Sequence, residues 1–474
     1  MQTARSLGQI RFINAMGFFD RERTVAGPGF SRWLVPPAAL AVHLSIGQVY
    51  AFSVFKIPLT RLIGITKSAP NDWTQPQVAW IFSIAILFLG ASAAIFGRWV
   101  ERVGPRKTML AAALCFGGGF VVAAIGVLTH QLWIIYLGYG VIGGCGLGLG
   151  YIAPVSTLVK WFPDRPGMAT GMAIMGFGGG AFIGSNLSVL LMNHFKTAAS
   201  VGVGRTFIAM GIIYFCYIMF GSLIVRVPAQ NWRPAGFVPA THSHGLITSG
   251  NVAVDQAFRT PQFWLLWVVL CLNVTAGIGI LEQASPMIQE MFPTAPGGAI
   301  GVTAAAAAGF VALLSLFNMA GRFVWSSASD YTGRKAIYVV YLLLGAILYC
   351  LIPIAAKSGS VIFFVSICCV IISMYGAGFA TVPAYLKDLF GTMQVGAIHG
   401  RLLTAWSVAG VLGPVLVNYI RVHLKGQGAS GVALYAPTMY LMAGLLVIGL
   451  ICNLCIRPVA DRFYFRGDVA AVRD

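Results

Sequence analysis

Charged residues are scarce in this sequence. Asp and Glu number 13 among 474 residues, and charged residues of both signs make up 9%, whereas soluble domains carry roughly 25%. Hydrophobic residues make up 58% of the chain, and the mean hydropathy is +0.82. So little charge cannot cover a water-exposed surface, which excludes an ordinary soluble protein. We therefore predict an integral membrane protein that lies in the lipid bilayer.

The sequence also lacks the residue clusters that bind metals or carry out catalysis. All nine Cys fall inside apolar runs, where a thiol behaves as a small hydrophobic group, so we expect neither a disulfide framework nor a metal site. A membrane enzyme would need paired carboxylates or a metal cluster at membrane depth, and we find neither, so we expect no cofactor and no enzymatic activity. Residues 1–32 contain five Arg but no apolar core followed by a cleavage site, which indicates a cytoplasmic tail rather than a signal peptide.

Long apolar runs are the main feature of the chain. A membrane-crossing helix needs about 20 mostly apolar residues, and the sequence contains twelve such runs. They are residues 33–57, 77–98, 108–128, 131–159, 168–193, 206–226, 262–289, 300–326, 336–356, 360–386, 402–420 and 434–456. We therefore predict an all-α membrane protein with twelve transmembrane helices.

The basic residues predict the orientation. The 31 Lys and Arg residues give a net charge of +18, but they lie in loops rather than on one basic face, so we expect no nucleic-acid partner. With the N-terminus in the cytoplasm, 22 of them fall on the inner side and eight on the outer side. By the positive-inside rule both termini then face the cytoplasm. We expect a monomer in the plasma (inner) membrane.

The chain contains an internal repeat. The stretch "GRWVERVGPRK" (97–107) matches "SSASDYTGRK" (326–335), with Gly104 and Gly333 separated by 229 positions. Pro154 and Pro383 are also 229 positions apart. The repeat predicts two six-helix bundles between two tails. The predicted domains are 1–32 (tail), 33–226 (first bundle), 227–260 (cytoplasmic linker), 261–456 (second bundle) and 457–474 (tail).

An acid followed by Gly and paired basic residues, after the second helix of each half, resembles the signature loop of the major facilitator superfamily. The resemblance spans about residues 32–457 and implies two pseudosymmetric bundles, a substrate site near the midplane and alternating access. An acid at a helix end can pair with basic groups and a neighbouring helix terminus, which predicts a conformational latch. Its residues would be Glu101, Arg106, Asp330 and Arg334. The alternative is that the basic residues only anchor the loops.

One basic residue lies far from any loop. Arg322 is the only charged residue between Glu290 and Asp330, and its position in the first half of the repeat is taken by Ala93. Eight residues at about 1.5 Å each place it some 12 Å inward from Asp330, toward the midplane. A central Arg costs about 2.5 to 3.5 kcal/mol on insertion scales, so an anion should meet it.

That anion is either a substrate carboxylate or an acid of the chain. A guanidinium can grip a carboxylate with two parallel hydrogen bonds, and Asn318, one helical turn before Arg322, can add an amide contact to the substrate. Acids within membrane depth are rare, which favours the substrate. The candidate protein partners are Glu282, Glu101, Asp330 and Asp388.

Four segments show a narrower resemblance. Residues 161–182, 259–267, 317–325 and 388–407 resemble the oxalate/formate antiporter branch, which is akin to proton-linked monocarboxylate transporters. In that branch an arginine of the eighth helix binds the carboxylate, and Arg322 is the matching position. The resemblance also implies that Tyr50 and Tyr151 line the cavity.

The sequence departs from the oxalate-exchanging type at one position. That type carries a lysine on its eleventh helix, where this chain has Trp406. A single cavity cation suits a single carboxylate, so we predict a carrier of monocarboxylates of the lactate, pyruvate, formate or acetate class. Trp406 and Phe379 would narrow the cavity and favour short acids.

Two residues are candidates for coupling transport to a proton. His43 lies ten residues into the first predicted helix, and the ordinary pKa of histidine suits a protonation switch. Its alternative is a neutral ring bound to a neighbouring helix. Glu282 either lines the cavity or touches water near the outer end of its helix. The sequence thus predicts alternating-access symport with a proton. Carboxylate exchange is the alternative, and a carboxylate sensor is disfavoured because the tails are short.

Overall fold

Twelve long helices cross the molecule. The computed structural model describes residues 17–230, 232–238, 245–293 and 301–467, without the side chains of Glu282, Ala304 and Ala305. All twelve helices are long and apolar enough to span a bilayer, which confirms the predicted fold class. Large apolar side chains such as Ile95, Leu190 and Ile362 point outward, as lipid-facing residues do.

The helices of the first half are α1 (Arg32–Leu59), α2 (Gln75–Val103), α3 (Pro105–Leu128), α4 (Leu132–Trp161), α5 (Pro166–Phe195) and α6 (Val203–Ile224). Those of the second half are α7 (Pro261–Met291), α8 (Ala304–Thr332), α9 (Arg334–Lys357), α10 (Val361–Phe390), α11 (Val395–Gly426) and α12 (Val432–Cys455). The middle of α1 tightens into a 3-10 helix over Gly47–Phe52, and α4 contains a π-helical stretch over Tyr136–Gly143.

The start of α11 differs most from the prediction. This helix begins at Val395, seven residues before the predicted start at 402. Its first turns contain His399 and Arg401, so their hydropathy is low. They are helical because they pack on α2, where a methyl group added to Gly97 would lie 2.8 Å from the Cα of Ala397. Tertiary contact, rather than hydropathy, therefore decides this helix start.

The two halves repeat the same helix pairings. In the first half α1 packs on α5 and α6, α2 packs on α4, and α3 packs on α4 and α6. The second half shows the same pairs six helices later, from α7 with α11 and α12 to α9 with α10 and α12. The halves meet through α2 with α11 and through α5 with α8, which are themselves equivalent pairs. The internal repeat of the sequence is thus also a repeat of packing.

A segment between α6 and α7 joins the halves at one end of the molecule, which we call the linker side. It ends in a short helix, Val254–Phe258, whose Asp255 forms ion pairs with Arg98 of α2 and with Arg401 of α11, the latter at 2.8 Å. Partial burial disfavours the charged form of Asp255, but the bond from Arg401 and the charge of Arg98 outweigh burial and lower the pKa of the carboxyl. The linker therefore contacts both halves.

Small residues bring α8 close to its neighbours on both sides. A methyl group added to Gly171 of α5 would lie 2.8 Å from the carbonyl oxygen of Arg322. One added to Gly376 of α10 would lie 2.6 Å from the carbonyl oxygen of Asn318 and 3.1 Å from Cγ of Arg322. Close approach of this kind lets helices pack in lipid. It places α8 between α5 of one half and α10 of the other.

We expect Gly376→Ala to destabilise the protein by about 1–3 kcal/mol, the usual cost of overpacking, because the added methyl group would overlap Asn318. Thermal unfolding in detergent should show a lower Tm. Gly444→Ala on α12 is the matched control, since no atom lies within 4 Å of its added methyl group. Equal Tm values for the two variants would contradict the close contact of α10 with α8.

Candidate functional site

Arg322 lies at the contact between the two halves. It is fully buried in α8, ten residues before the end of that helix at Thr332, which is about 15 Å from the linker side. Because α8 packs against both α5 and α10, the guanidinium lies among side chains of both halves. The structure therefore places this cation deep in the membrane-spanning region, as the sequence predicted.

Asn318 makes the one well-aligned hydrogen bond to the guanidinium among the described side chains, and the hydroxyl groups of Tyr50 and Tyr151 lie close enough to interact with it as well. The Nε atom of the guanidinium donates a hydrogen bond of 2.9 Å to Oδ1 of Asn318. Its terminal nitrogens, Nη1 and Nη2, are buried without a hydrogen-bond partner in the described part of the chain. The charge centre lies 5.7 Å from the ring centroid of Phe177 and 5.3 Å from that of Phe379, so cation–π attraction offsets part of the cost of burial.

The acids considered as partners of Arg322 are bonded to other groups. Glu101 pairs with Lys160. Asp330 and Asp388 both pair with Arg334, at 2.6 Å and 3.1 Å. The side chain of Glu282, the fourth candidate, lies outside the described residues. Within the described part, the guanidinium thus has no carboxylate partner, and the neutral hydroxyl groups of Tyr50 and Tyr151 are other polar side-chain groups that interact with it.

Six aromatic side chains surround this cation, and we call them the aromatic cluster. Three belong to the first half and three to the second: Tyr50, Tyr151, Phe177, Tyr375, Phe379 and Trp406. Trp406 contacts Phe379, Phe177 and Tyr151 with ring centroids 4.4, 5.1 and 5.5 Å away. The charge of Arg322 acts on Tyr50, Tyr151 and Tyr375. The predicted site residues Tyr50, Tyr151, Phe379 and Trp406 are therefore brought together.

Polar atoms of the aromatic cluster point to a ligand. The hydroxyl groups of Tyr50 and Tyr375 form a hydrogen bond of 3.0 Å that joins the two halves. The hydroxyl of Tyr151 and Nε1 of Trp406 are buried without a partner among the described residues. Buried polar groups are rarely left unpaired. Together with the guanidinium, these donors form an arrangement that can bind a small anion that carries a further polar group.

Of the two residues predicted to couple transport to a proton, the structure describes the side chain of His43. His43 is fully buried on α1, its Nδ1 lies 2.9 Å from the carbonyl oxygen of Ala39, and its ring lies 5.3 Å from that of Tyr151. It therefore faces the site. The side chain of Glu282 falls outside the described residues, so its prediction has no geometric counterpart.

Two members of the aromatic cluster, Phe177 and Tyr375, and a neighbour of Tyr151, His399, were missed in the sequence. Phe177 lies in a glycine cluster whose obvious role is helix packing, and Tyr375 lies one turn before Phe379 on α10. The i, i+4 spacing of Tyr375 and Phe379 was the available signal for the former. His399 was placed in a loop because α11 was predicted to start too late.

The acids of the repeated loops contact helix N-termini of the opposite half. Oε1 of Glu101, at the end of α2, accepts a 2.9 Å bond from the backbone N–H of Gly396 in α11. Asp330, at the end of α8, accepts bonds of 2.9 and 2.8 Å from the N–H groups of Gly167 and Met168 in α5. A carboxylate is stabilised at a helix N-terminus because the free N–H groups and the helix dipole both favour negative charge.

The basic residues of the two loops are used differently. Arg334 bonds Asp330 and Asp388 within the second half. Arg106 does not bond Glu101; it donates to the carbonyl oxygens of Phe18 at 3.0 Å and Leu223 at 3.4 Å. Lys160 of α4 takes the place next to Glu101. The acids of the two loops therefore make equivalent contacts, whereas their basic residues do not.

The space around Arg322 is closed in this conformation. A cavity of about 1030 Å³ lies instead on the linker side, where Arg98, Lys160, Trp232 and Asn251 are among its lining residues. Arg322 and the aromatic cluster do not line it. The two loop contacts and the aromatic cluster thus separate the cation from this cavity.

Comparison with known proteins agrees with this geometry. A sequence model of the Major Facilitator Superfamily matches residues 29–414. The "Oxalate:formate antiporter" of Oxalobacter formigenes is 25% identical over 391 residues, which cover 81% of this chain and 83% of that protein. The "Apicoplast pyruvate carrier 1" of Toxoplasma gondii is 24% identical over 381 residues, covering 70% and 68% of the two chains.

A solved structure shares the fold. The proton:xylose symporter XylE aligns with a TM-score of 0.64 at 15% sequence identity, over 89% of this chain and 94% of the other. At this identity the likeness concerns the fold alone. The family match covers most of the sequence, and the resemblance of the repeated loops is confirmed. The chain is a member of the major facilitator superfamily.

Proposed function

We propose that this protein carries small monocarboxylates across the membrane by alternating access, in symport with a proton. One observation supports this substrate class above all others: the two terminal nitrogens of a buried arginine have no partner among the described residues. A carboxylate is the anion whose two oxygens match such a fork in geometry and charge. Lactate, pyruvate, formate and acetate are the members of this class that we favour.

The aromatic cluster favours one carboxylate rather than two. Trp406 occupies the position where the oxalate-exchanging type has a lysine, and its indole lies against Phe379 and Tyr151. A second carboxylate of the substrate would meet aromatic rings there instead of a cation. The indole N–H and the Tyr151 hydroxyl suit a carbonyl or hydroxyl oxygen, as in pyruvate or lactate.

Carboxylate exchange is the second candidate mechanism. It is favoured by the similarity to a protein described as an oxalate:formate antiporter, whereas the pyruvate carrier favours a monocarboxylate. Both relatives are named for carboxylate substrates. Exchange and symport would use the same binding site. They differ in the return step: the empty, deprotonated carrier of a symporter returns alone, whereas an exchanger returns only with a second substrate bound.

We infer that the two loop acids form a latch on the linker side. Glu101 and Asp330 each hold the first turn of a helix in the opposite half, so the halves cannot separate there while both bonds persist. Arg334 and Lys160 support the acids within their own halves, and Arg106 anchors the residues before α1. We further propose that the linker side is cytoplasmic, that the protein lies in the plasma membrane and that it works as a monomer.

Purified protein in proteoliposomes should take up labelled lactate, pyruvate, formate and acetate faster with an inward proton gradient, and oxalate should compete weakly. We expect Arg322→Ala to abolish uptake. Arg322→Lys keeps the charge but loses the planar fork, and hydrogen bonds to charged groups contribute about 1.5–3 kcal/mol, so KM should rise roughly 10- to 150-fold. Initial rates over a range of concentrations measure both effects.

Arg205→Lys is the control for this pair, because Arg205 is exposed at the start of α6. Undiminished binding of every tested carboxylate by the Arg322→Ala variant would exclude the arginine as anchor. A rate that does not respond to the proton gradient in the wild type would favour exchange over symport.

Asn318→Asp should weaken substrate binding without changing the shape of the site. The new carboxylate would lie where Oδ1 now accepts the 2.9 Å bond from Arg322, and would therefore compete with the substrate for the guanidinium. We expect KM at neutral pH to rise at least tenfold, with recovery as falling pH protonates the new acid. Asn186→Asp, at an exposed position of α5, makes the same charge change outside the site. Equal KM values for the two variants would disprove the competition.

Hydrogen exchange can test the latch. Asp330→Asn should speed exchange of the Gly167 and Met168 amides in α5, and Glu101→Gln should do so at Gly396 in α11, because each amide loses its charged acceptor. If the two acids hold the same interface between the halves closed, loss of either acid should also reduce the exchange protection of the amides that the other acid contacts. Mass spectrometry of peptides from the two helix starts gives this readout. Changes restricted to the helix contacted by the mutated acid would indicate two local caps and no latch.

A further inference from the structure

His399 has no structural role that accounts for its burial. It lies in the second turn of α11, with 1% of its surface exposed, and neither ring nitrogen has a hydrogen-bond partner among the described residues. A neutral imidazole carries one donor and one acceptor, and buried groups of this kind are normally paired. Its unpaired state indicates a group that gains a partner at another stage of the transport cycle.

The ring faces the aromatic cluster from the linker side. It lies 5.7 Å from Tyr151, whose ring also contacts His43 at 5.3 Å and Trp406 at 5.5 Å. Trp406 follows His399 by seven residues, or two turns of α11, so both side chains lie on one face of that helix. His399 is then about 10 Å nearer the linker side. It lies between the substrate site and the route to that side.

The described polar side chains that contact Arg322 are not suited to carry the coupled proton. Among the described residues its polar contacts are the amide of Asn318, which does not change charge with pH, and the hydroxyl groups of Tyr50 and Tyr151, a type of group whose ordinary pKa is about 10. A symporter therefore needs a titratable group elsewhere in the site, and histidine is the side chain whose charge changes most readily near neutral pH. His43 and His399 are the two histidines that face Tyr151.

The surroundings favour His399 over His43. The Nδ1 of His43 already bonds the carbonyl of Ala39 in its own helix, so a local contact keeps that ring in place. His399 belongs to the second half, whereas Tyr151 belongs to the first, so their contact breaks when the halves separate. Its ring then changes from a buried to a hydrated environment, which is what uptake or release of a proton requires.

The nearby charged groups are already paired. The helices packed against the start of α11 are α2, α4, α10 and the short helix of the linker. Their titratable residues near this contact are Arg98 and Glu101 on α2, Tyr151 and Lys160 on α4, Tyr385, Lys387 and Asp388 on α10, and Asp255 in the linker, with Arg401 on α11 itself. The carboxylates among them form ion pairs with Arg98, Lys160, Arg334, Lys387 and Arg401. His43 acts on His399 from α1 by charge.

We propose that His399 binds and releases the proton that is coupled to carboxylate transport. The inference rests on the proposed function. The proton joins an imidazole nitrogen when substrate binds to Arg322 and leaves to water on the opposite side, with no other bond made or broken. Loaded carrier (guanidinium, carboxylate and imidazolium) and empty carrier (guanidinium and neutral imidazole) then carry the same net charge. Transport is therefore electroneutral.

The test compares two modes of transport of labelled lactate by the same proteoliposomes. Accumulation driven by an inward proton gradient requires the proton site, whereas counterflow of labelled against unlabelled lactate without a gradient requires only substrate binding and movement. In His399→Gln and His399→Asn, we expect the ratio of uptake with the proton gradient to uptake without it to fall to about 1, while counterflow persists. His194→Gln, at an exposed position at the end of α5, should keep both modes.

Several results would overturn the inference. They are full stimulation by the gradient in both His399 variants, loss of stimulation in His43→Gln instead, and loss of counterflow in both His399 variants, which would show a structural role. A wild type that performs counterflow but ignores the gradient would also overturn it while leaving the carboxylate carrier intact. Absence of both modes for every carboxylate tested would overturn the proposed function itself.

Discussion

A guanidinium held deep in the membrane-spanning region, with no carboxylate partner among the described side chains, is the constraint around which this structure is organised. Burying such a charge is unfavourable, and the described protein groups offset only part of the cost through one amide and two aromatic faces. Small residues in α5 and α10 let the neighbouring helices approach closely enough to enclose Arg322. In the function we propose, a bound carboxylate would relieve the remaining cost, so the free energy of the empty site would favour binding.

Contacts within each half and contacts between the halves both include close approaches at glycines. Within a half, helices pack through apolar side chains and close glycine approaches, and the same pairings recur six helices later. Between the halves, these approaches are accompanied by hydrogen bonds, which include those of the two loop acids to helix N-termini, the bond between Tyr50 and Tyr375, and the bond from the Thr170 hydroxyl to the carbonyl oxygen of Ala380. Hydrogen bonds between the halves can be exchanged for bonds to water. Movement of the two halves against each other belongs to the alternating access that we propose.

The proposed binding site lies where the two halves of the repeat differ in sequence. The equivalent of Arg322 in the first half is Ala93, which packs against Gly400 of α11 and carries no charge. Likewise, Arg334 pairs with two acids, whereas Arg106 bonds backbone carbonyls. A duplicated scaffold supplies two similar bodies and a surface between them. A single cation on one side of that surface makes the proposed binding site asymmetric.

Hydropathy and charge were sufficient to predict twelve helices, because these features depend on composition over 20 or more neighbouring residues, and the internal repeat indicated two halves. The superfamily was recognised from the resemblance of the two repeated loops, which are short local motifs. Arg322 stood out as a charge within an apolar run. Phe177, Tyr375 and His399 could not be assigned to the surroundings of the site, since they lie on three different helices and each resembles an ordinary apolar or loop residue locally. Which faces of α5, α10 and α11 meet, and where α11 begins, is decided by packing between the halves. No stretch of sequence contains that contact, because it forms only when all the helices are in place.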